Sequence, residues 1–363
     1  MKFPRTAAVL TVALVLAACG GEDAAPATTV AETSPPTTKP RATTTEEKST
    51  TTSSSSTSTT IAPDPVMPLT GLPITDPAIA ARPAVVVKVS NDPGARPQSG
   101  LDDADIVFEA WGAGPTRFAT VFHSEDAPNV GPIRSARTQD VDLVGSFNGA
   151  VFACSGGNAG AMGTIRASDL LVLTESQGPG WRLDKNRRRP HATFNDTASL
   201  RSNADPTRPG PAQQFKYRET GEAASGLSSE GFKLHIELVR LEWNFVRETN
   251  SYVRSQEGKP HVMADGTRVD FTNVVVLWIN YDHSPADVRS PDGGTIGTGE
   301  AVVFTNGKQI PATWSRSDRL MPISLTGKGG SPVLLTPGTT WFELANTGLG
   351  TFPGADELEI LPA

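Results

Sequence analysis

Two arginines three residues apart, Arg134 and Arg137, lie in the segment Val130-Gly131-Pro132-Ile133-Arg134-Ser135-Ala136-Arg137-Thr138, just ahead of a stretch with helical spacing. The first turn of a helix favours Asp or Glu over a cation, so two guanidiniums placed there call for an anion. A guanidinium grips a carboxylate or phosphate through two parallel hydrogen bonds, a geometry that lysine lacks. The anion is either a ligand or an internal carboxylate, for which Asp140, Asp142, Glu109 and Asp105 are the candidates. A second basic segment, residues 181–191, gathers Arg182, Lys185, Arg187, Arg188 and Arg189 between Trp181 and Pro190-His191. Runs of cations are usually solvated faces, but an aromatic at one end and a histidine at the other fit an anion- or glycan-contacting loop. His191 has the side chain suited to acid–base work near neutral pH.

The third segment is Cys154-Ser155-Gly156-Gly157-Asn158-Ala159-Gly160, read as the junction between a strand and a helix. Backbone N–H groups at such a junction receive anions. The glycines do not spell G-x-G-x-x-G, and no Gly-Lys-Ser/Thr follows, which excludes the common nucleotide-binding loops. Ser155 is not in a G-x-S-x-G elbow, and Cys154, at the end of an apolar strand, reads as an inert buried thiol. Arg134, Arg137, Arg182 and Arg188 are therefore expected to converge near Gly156 and Gly157, with His191 beside them. For catalysis the candidates are His191 with Glu109 or Asp105. Those two carboxylates are four apart on a predicted strand, hence about 13 Å apart on one face and too distant to act as a pair unaided. His123, Asp126, Asp282, His283 and Asp287 are the available metal ligands, but none has H-E-x-x-H or C-x-x-C spacing. Neither a metal nor a cofactor is expected.

The elements that must carry these residues change character along the chain. Residues 84–89 form a β-branched run ending in Asn91-Asp92-Pro93-Gly94, a turn signal. Residues 105–111 and 116–123 read as a hairpin, 138–148 as a helix stopped by Gly149, 150–154 as a buried strand, 158–167 as a small-residue helix and 170–175 as a strand. After residue 225 the helical periods vanish. Residues 232–241 alternate as one strand, Asp265-Gly266 and Asn306-Gly307 are hairpin-turn pairs, and residues 274–279 look like a central strand. The expected fold is a mixed α/β N-terminal domain (64–201), a connector (202–229) and a mainly antiparallel β C-terminal domain (230–363), the two domains forming separate units.

The N-terminus carries an address. Lys2 and Arg5 precede a short apolar run over residues 6–16, and Leu16-Ala17-Ala18-Cys19 has the form of a lipobox. The run is too short to span a bilayer and has secretory-signal proportions. Residues 1–18 are thus expected to be removed and Cys19 acylated, each buried CH₂ contributing about 0.8 kcal/mol of anchoring. Residues 19–63, almost all Thr, Ser, Ala and Pro, hold too little apolar surface to fold and read as a stalk. With Cys19 acylated, Cys154 has no disulfide partner. The net charge of −7 argues against a nucleic-acid partner.

Several segments in order resemble the YerB-like lipoprotein family. They are Pro68-Leu69-Thr70-Gly71-Leu72-Pro73, Ala95-Arg96-Pro97-Gln98-Ser99-Gly100 leading into Ala104-Asp105-Ile106-Val107-Phe108-Glu109, and Thr116-Arg117-Phe118. The series continues through residues 131–137, the Arg182, Asp184, Arg188, Pro190, His191 pattern, Val274, Gly299, Trp314 and Pro337-Gly338-Thr339-Thr340-Trp341. The resemblance implies a two-domain exported lipoprotein with no established activity. Ala192, where the family pattern has Asn after Pro-His, departs from it and speaks against a catalytic role for this loop. Residues and resemblance together point to a lipid-anchored protein on the extracytoplasmic face of a bacterial membrane. Its partners would be that membrane and an anionic envelope glycan, peptide or phosphate-bearing ligand. The alternatives are a hydrolase or transferase acting on envelope polymer and a protein-interaction module.

Overall fold

The computed structural model describes residues 65–175 and 177–363; the signal segment, Cys19 and the whole of the expected stalk lie outside them. The described residues fall in one compact unit. The first half places α1 (Pro77–Ala81), β1 (Val85–Ser90), β2 (Ile106–Ala110), β3 (Arg117–Phe122), α2 (Asp140–Leu143), β4 (Val151–Ala153), α3 (Ala159–Arg166), β5 (Leu171–Leu173), the short pair β6 (Arg182–Leu183) and β7 (Thr193–Phe194), and α4 (Thr197–Arg201). The second half opens with β8 (Leu227–Ile236), β9 (Val239–Val246), β10 (Ser251–Gln256), β11 (Lys259–Pro260) and β12 (Asp270–Phe271). It continues with β13 (Asn273–Ile279), β14 (Tyr281–Ser284), β15 (Asp287–Gly293), β16 (Gly297–Thr305), β17 (Lys308–Arg316), β18 (Ser324–Gly327), β19 (Thr340–Asn346) and β20 (Glu357–Pro362).

Strand dominates and the helices are few and short. β1 pairs antiparallel with β3 and parallel with β4, which pairs parallel with β5 through the α3 crossover. The helix expected over 138–148 shrinks to α2 and a 3₁₀ turn, Gly145–Phe147. A Cβ on Gly145 would stand 2.5 Å from the Arg319 carbonyl oxygen, so the segment bends where that loop passes over it. The alternation over 232–241 belongs to two strands: β8 and β9 pair around a turn at Glu237-Leu238.

The halves share a sheet instead of closing separately. β19 lies between β13 and β2 and runs parallel to both, while β2 pairs antiparallel with β3. The order β17-β16-β13-β19-β2-β3-β1-β4-β5 therefore crosses from the C-terminal to the N-terminal half without a break. The 202–229 segment also packs tightly. Phe215 and Gln214 are buried, Tyr217 donates its hydroxyl hydrogen to the Leu69 carbonyl (2.6 Å), and Arg218 reaches Thr305 (2.8 Å). One aromatic core, including Phe108, Phe118, Trp243, Phe342 and Trp341, spans both halves.

Candidate functional site

The Arg134–Arg137 segment is laid down by backbone pairing on both sides. Ser90 N–H donates to the Pro132 carbonyl (3.0 Å) and Arg134 N–H to that of Lys88 (2.7 Å), so the segment runs along β1. On its other side Ser155 N–H donates to the Arg134 carbonyl (3.1 Å) and Ala136 N–H to the Gly156 carbonyl (2.8 Å). The Gly156-Gly157 turn is thereby fixed beside both arginines. The sheet adds Arg117, whose place on β3 is opposite Ser90 of β1.

These three guanidiniums lack carboxylates. Arg117, buried, donates from Nη1 to the Ser135 carbonyl (3.0 Å). Arg137 donates to the carbonyls of Gly112 (3.2 and 3.0 Å) and Ala136 (2.9 Å), and Arg134 only weakly to Ser135 Oγ (3.4 Å). None makes an ion pair among the described residues. Asp140, the nearest of the expected partners, is taken by Lys88 in a fully buried pair (2.8 Å) and receives the backbone N–H of Arg137 (2.7 Å), not its guanidinium. Burial, then the charges of Arg137 and Arg134, brings Arg117 down to about 9, and burial lowers Arg134 and Arg137 as well. Buried positive charge of this kind is costly unless an anion accompanies it.

The 181–191 loop divides its cations among different tasks. Arg182 donates to the carbonyls of Gly180 (3.1 Å), Pro128 (3.0 Å) and Asn195 (3.3 Å) and to Asn129 Oδ1 (2.7 Å), so it holds loops together and does not join Arg134. Arg188 is exposed and makes no side-chain hydrogen bond among the described residues. His191 does come to the cluster: its Nε2 is 3.4 Å from Asp92 Oδ1, and its Nδ1 is buried without a partner. Burial lowers its pKa, Asp92 opposes that, and the charges of Arg134 and Arg187 add to it, which places those four side chains in one electrostatic neighbourhood.

Glu109 and Asp105 stand in the interior. Asp105 accepts the backbone N–H groups of His123 (2.5 Å) and Ser124 (2.9 Å) and the Ser124 hydroxyl, pinning the chain after β3. Glu109 is fully buried and pairs with Arg254 (2.6 Å), while Thr116 (2.5 Å) and Asn91 (3.0 Å) donate to its other oxygen. Arg254 also donates to Gln256 (2.6 Å) and His261 Nδ1 (2.6 Å), and its guanidinium faces Phe118, Trp243 and Trp341. Glu343 of β19, in register with Glu109 of β2, completes the group; burial first and the Glu109 charge second push its carboxyl well above the usual carboxylate range. The residues the sequence reading missed are Lys88, Arg117, Arg254 and Glu343. Lys88, Arg254 and Glu343 had a legible signal, a lone charge inside an apolar strand: VVVKVS, SYVRSQ and TWFELAN.

Of the expected metal ligands, His123 donates from Nε2 to the Arg82 carbonyl (3.1 Å), and Asp126 is bound by Arg82 and Arg201. Asp282 receives Thr351 N–H (2.8 Å), and Asp287 pairs with Arg289 (3.3 Å). These side chains are occupied separately. Cys154 is buried, its thiol pushed up to about 11 chiefly by burial, which makes it a poor nucleophile.

Residues 69–210 match the family model described as "Protein of unknown function (DUF3048) N-terminal domain", and residues 233–342 match its C-terminal counterpart. The boundary between the two models falls within the 202–229 segment and its immediate neighbourhood. The chain is 30% identical over 291 residues to a Bacillus subtilis (strain 168) protein named "Putative lipoprotein YerB", covering 76% of this chain and 85% of that one. The crystal structure of Bacillus subtilis YerB superposes with a TM-score of 0.68 at 24% identity, over 82% of this chain and 100% of that one.

Proposed function

The chain belongs to the DUF3048 family, and on that footing we propose that it is a lipoprotein, anchored through acylated Cys19, whose folded body binds an anionic envelope ligand at Arg134 and Arg137. One observation carries the reading: Arg117, Arg134 and Arg137 stand together, each buried or half-buried, with no carboxylate paired to any of them among the described residues. Gly156 accepts the Ala136 N–H beside Arg137, and His191, paired with Asp92, lies in the electrostatic neighbourhood of Arg134. A carboxylate or phosphate group on a glycan or peptide supplies the missing charge. The alternative of an acid–base hydrolase has less support, because Glu109 and Asp105 are enclosed by internal donors.

The test uses the full chain in detergent micelles with two probes, inorganic pyrophosphate and an oligogalacturonate, followed by calorimetry. Binding of either that falls on Arg134→Ala and weakens with salt supports the site. Binding that is indifferent to Arg134→Ala, or absent for both probes, removes it. In cells, Cys19→Ala is expected to release the protein from the membrane fraction or leave its precursor uncut; normal processing with full membrane retention overturns the anchor.

A further inference from the structure

A cavity of about 440 Å³ opens on the far side of Arg137 from Arg134, between the β8–β9 turn, the Gly112–Gly114 loop and the β14–β15 hairpin, and shares Arg137 with the arginine cluster. Its lining includes Glu237, Arg137, Asp287, Arg289 and Phe352. Glu237 holds it together in an unusual way. It has φ +53°, a left-handed conformation that Asn and Gly adopt far more readily than Glu. Glycine would make this turn at less conformational cost, so the carboxylate is what the position retains. Its backbone N–H donates to Asp356 Oδ1 (3.0 Å), and the backbone N–H groups of Gly112 and Gly114 face its carboxyl. Oε2 nevertheless has no donor among the described residues and is shut off from water.

We propose that this cavity binds an amino acid or peptide carrying a primary ammonium, with Glu237 as the partner of the ammonium and Arg289 as the partner of the ligand's carboxylate. An ammonium supplies at once the donor and the positive charge that Glu237 lacks. Arg137 does not fill that role, because its Nε and Nη2 are both given to the Gly112 carbonyl. Arg289 is the cation left for the ligand's other end: its side chain is 88% exposed and only loosely paired with Asp287 (3.3 Å). Phe352 lines the wall, so the hydrocarbon part of the ligand has surface to cover.

The charges around Glu237 set the sign of the pH dependence. Burial is the largest influence and raises its carboxyl to about 7; Asp356 raises it further and Arg117 opposes. Arg137, Asp287 and Arg289 face it across the cavity, and Asp292 and His235 belong to the packed elements, His235 acting on Asp356. Ionised Glu237 binds an ammonium and protonated Glu237 does not, so affinity climbs through neutrality.

The experiment titrates the full chain in micelles with Nα-acetyl-lysine, which keeps the side-chain ammonium and the carboxylate, and with Nα,Nε-diacetyl-lysine amide, which has neither. Between about pH 6 and about pH 8 the ionised fraction of Glu237 rises from roughly a tenth to roughly nine tenths, so binding of the first probe tightens about five- to tenfold. Glu237→Gln, which keeps an acceptor for Gly112 and Gly114, abolishes that change. Arg289→Gln weakens binding about fivefold while preserving it. Equal binding of the two probes, a flat or inverted pH profile in the unmutated chain, or no binding of Nα-acetyl-lysine at either pH overturns the proposal. Arg134 takes no part in this cavity, so Arg134→Ala separates its failure from failure of the anion site.

Discussion

Arg254 and Arg117 are both buried arginines on strands of the same sheet system, yet their surroundings are opposite. Arg254 has a carboxylate at 2.6 Å, two further acceptors at 2.6 Å and three aromatic faces whose centroids lie 5.1 to 5.9 Å away. Its partner His261 is pushed well below the usual range by burial first and by Arg254 second; it is neutral, accepts from Arg254 at Nδ1 and faces Gln98 Oε1 (3.0 Å) through Nε2. Arg117 has one carbonyl at 3.0 Å, and the charged groups that most lower its pKa are two other arginines. The inner cation is cancelled by the fold itself; the outer group is left with uncancelled charge. A buried charge belongs to the scaffold where the chain supplies its counter-charge, and points outward where the chain withholds it.

The largest effect should come from removing the inner cation. Arg254→Met leaves Glu109 buried beside Glu343 without its cation, and breaking such a pair costs about 3–5 kcal/mol. Urea unfolding measures it; a loss under about 1 kcal/mol would mean the network is slack and the contrast with Arg117 is false. Adding Glu109→Gln should recover part of the loss, since the stranded charge goes with it. Lys88→Met is expected to rank next, at about 3 kcal/mol, because Asp140 loses its cation but keeps the Arg137 N–H.

The outer arginines should behave differently. Arg134→Ala is expected to leave unfolding free energy within about 0.5 kcal/mol while lowering affinity for the anionic probe by about 1.5–3 kcal/mol. A large stability loss with unchanged binding would place Arg134 with Arg254 and erase the distinction.

A pH titration sharpens the same contrast at a carboxylate. Glu237 is held at about 7 in the folded chain, above its ordinary value of 4.5. The native state therefore holds this proton more tightly than the unfolded state does, and its contribution to stability is lost as pH rises from about 4.5 to about 7. Glu237→Gln should flatten that part of the stability profile, measured by thermal melts across it. Identical slopes in the two proteins would show that Glu237 already has its counter-charge.

Much of the framework was legible because period and punctuation agree locally. Residues 84–89, 150–154 and 158–167 fold close to their expected bounds, as β1, β4 and α3, with Asn158 capping α3 through Ala161 N–H (2.8 Å). Asn306-Gly307 does turn β16 into β17, both residues at positive φ. The shared sheet was not legible, since β19 reaches β2 from more than two hundred residues away and strand alternation carries no address for its partner. The site was half legible for a similar reason. Arg134 and His191 share one electrostatic neighbourhood because β1 and the β6–β7 loop bring them there, whereas Arg182 looks equally basic in sequence and spends most of its donors on carbonyls. Glu109 looked like a free carboxylate because its partner Arg254 is supplied by another half of the chain.

The smallest expected effect separates three consecutive arginines that composition cannot tell apart. Arg187 donates to the carbonyls of Ala95 (2.9 Å) and Pro97 (2.6 Å), pairs with Asp184 (3.2 Å) and lies over the Phe194 ring. Arg189 pairs with Glu175 (2.9 Å) while 61% exposed, a contact of the surface kind that contributes about 0–1 kcal/mol. Arg188 touches none of these groups. Arg188→Ala should therefore change unfolding free energy by less than about 0.5 kcal/mol, and its only measurable consequence should be a slower, more salt-sensitive approach of an anionic ligand. Arg187→Ala, by contrast, strands two carbonyls and should cost about 1–3 kcal/mol. Stopped-flow association at low and high salt, run beside urea unfolding of the same two variants, measures both. If Arg188→Ala destabilised the fold as much as Arg187→Ala, the rule drawn from Arg254 and Arg117 would fail in the one loop where neighbouring cations allow the cleanest comparison.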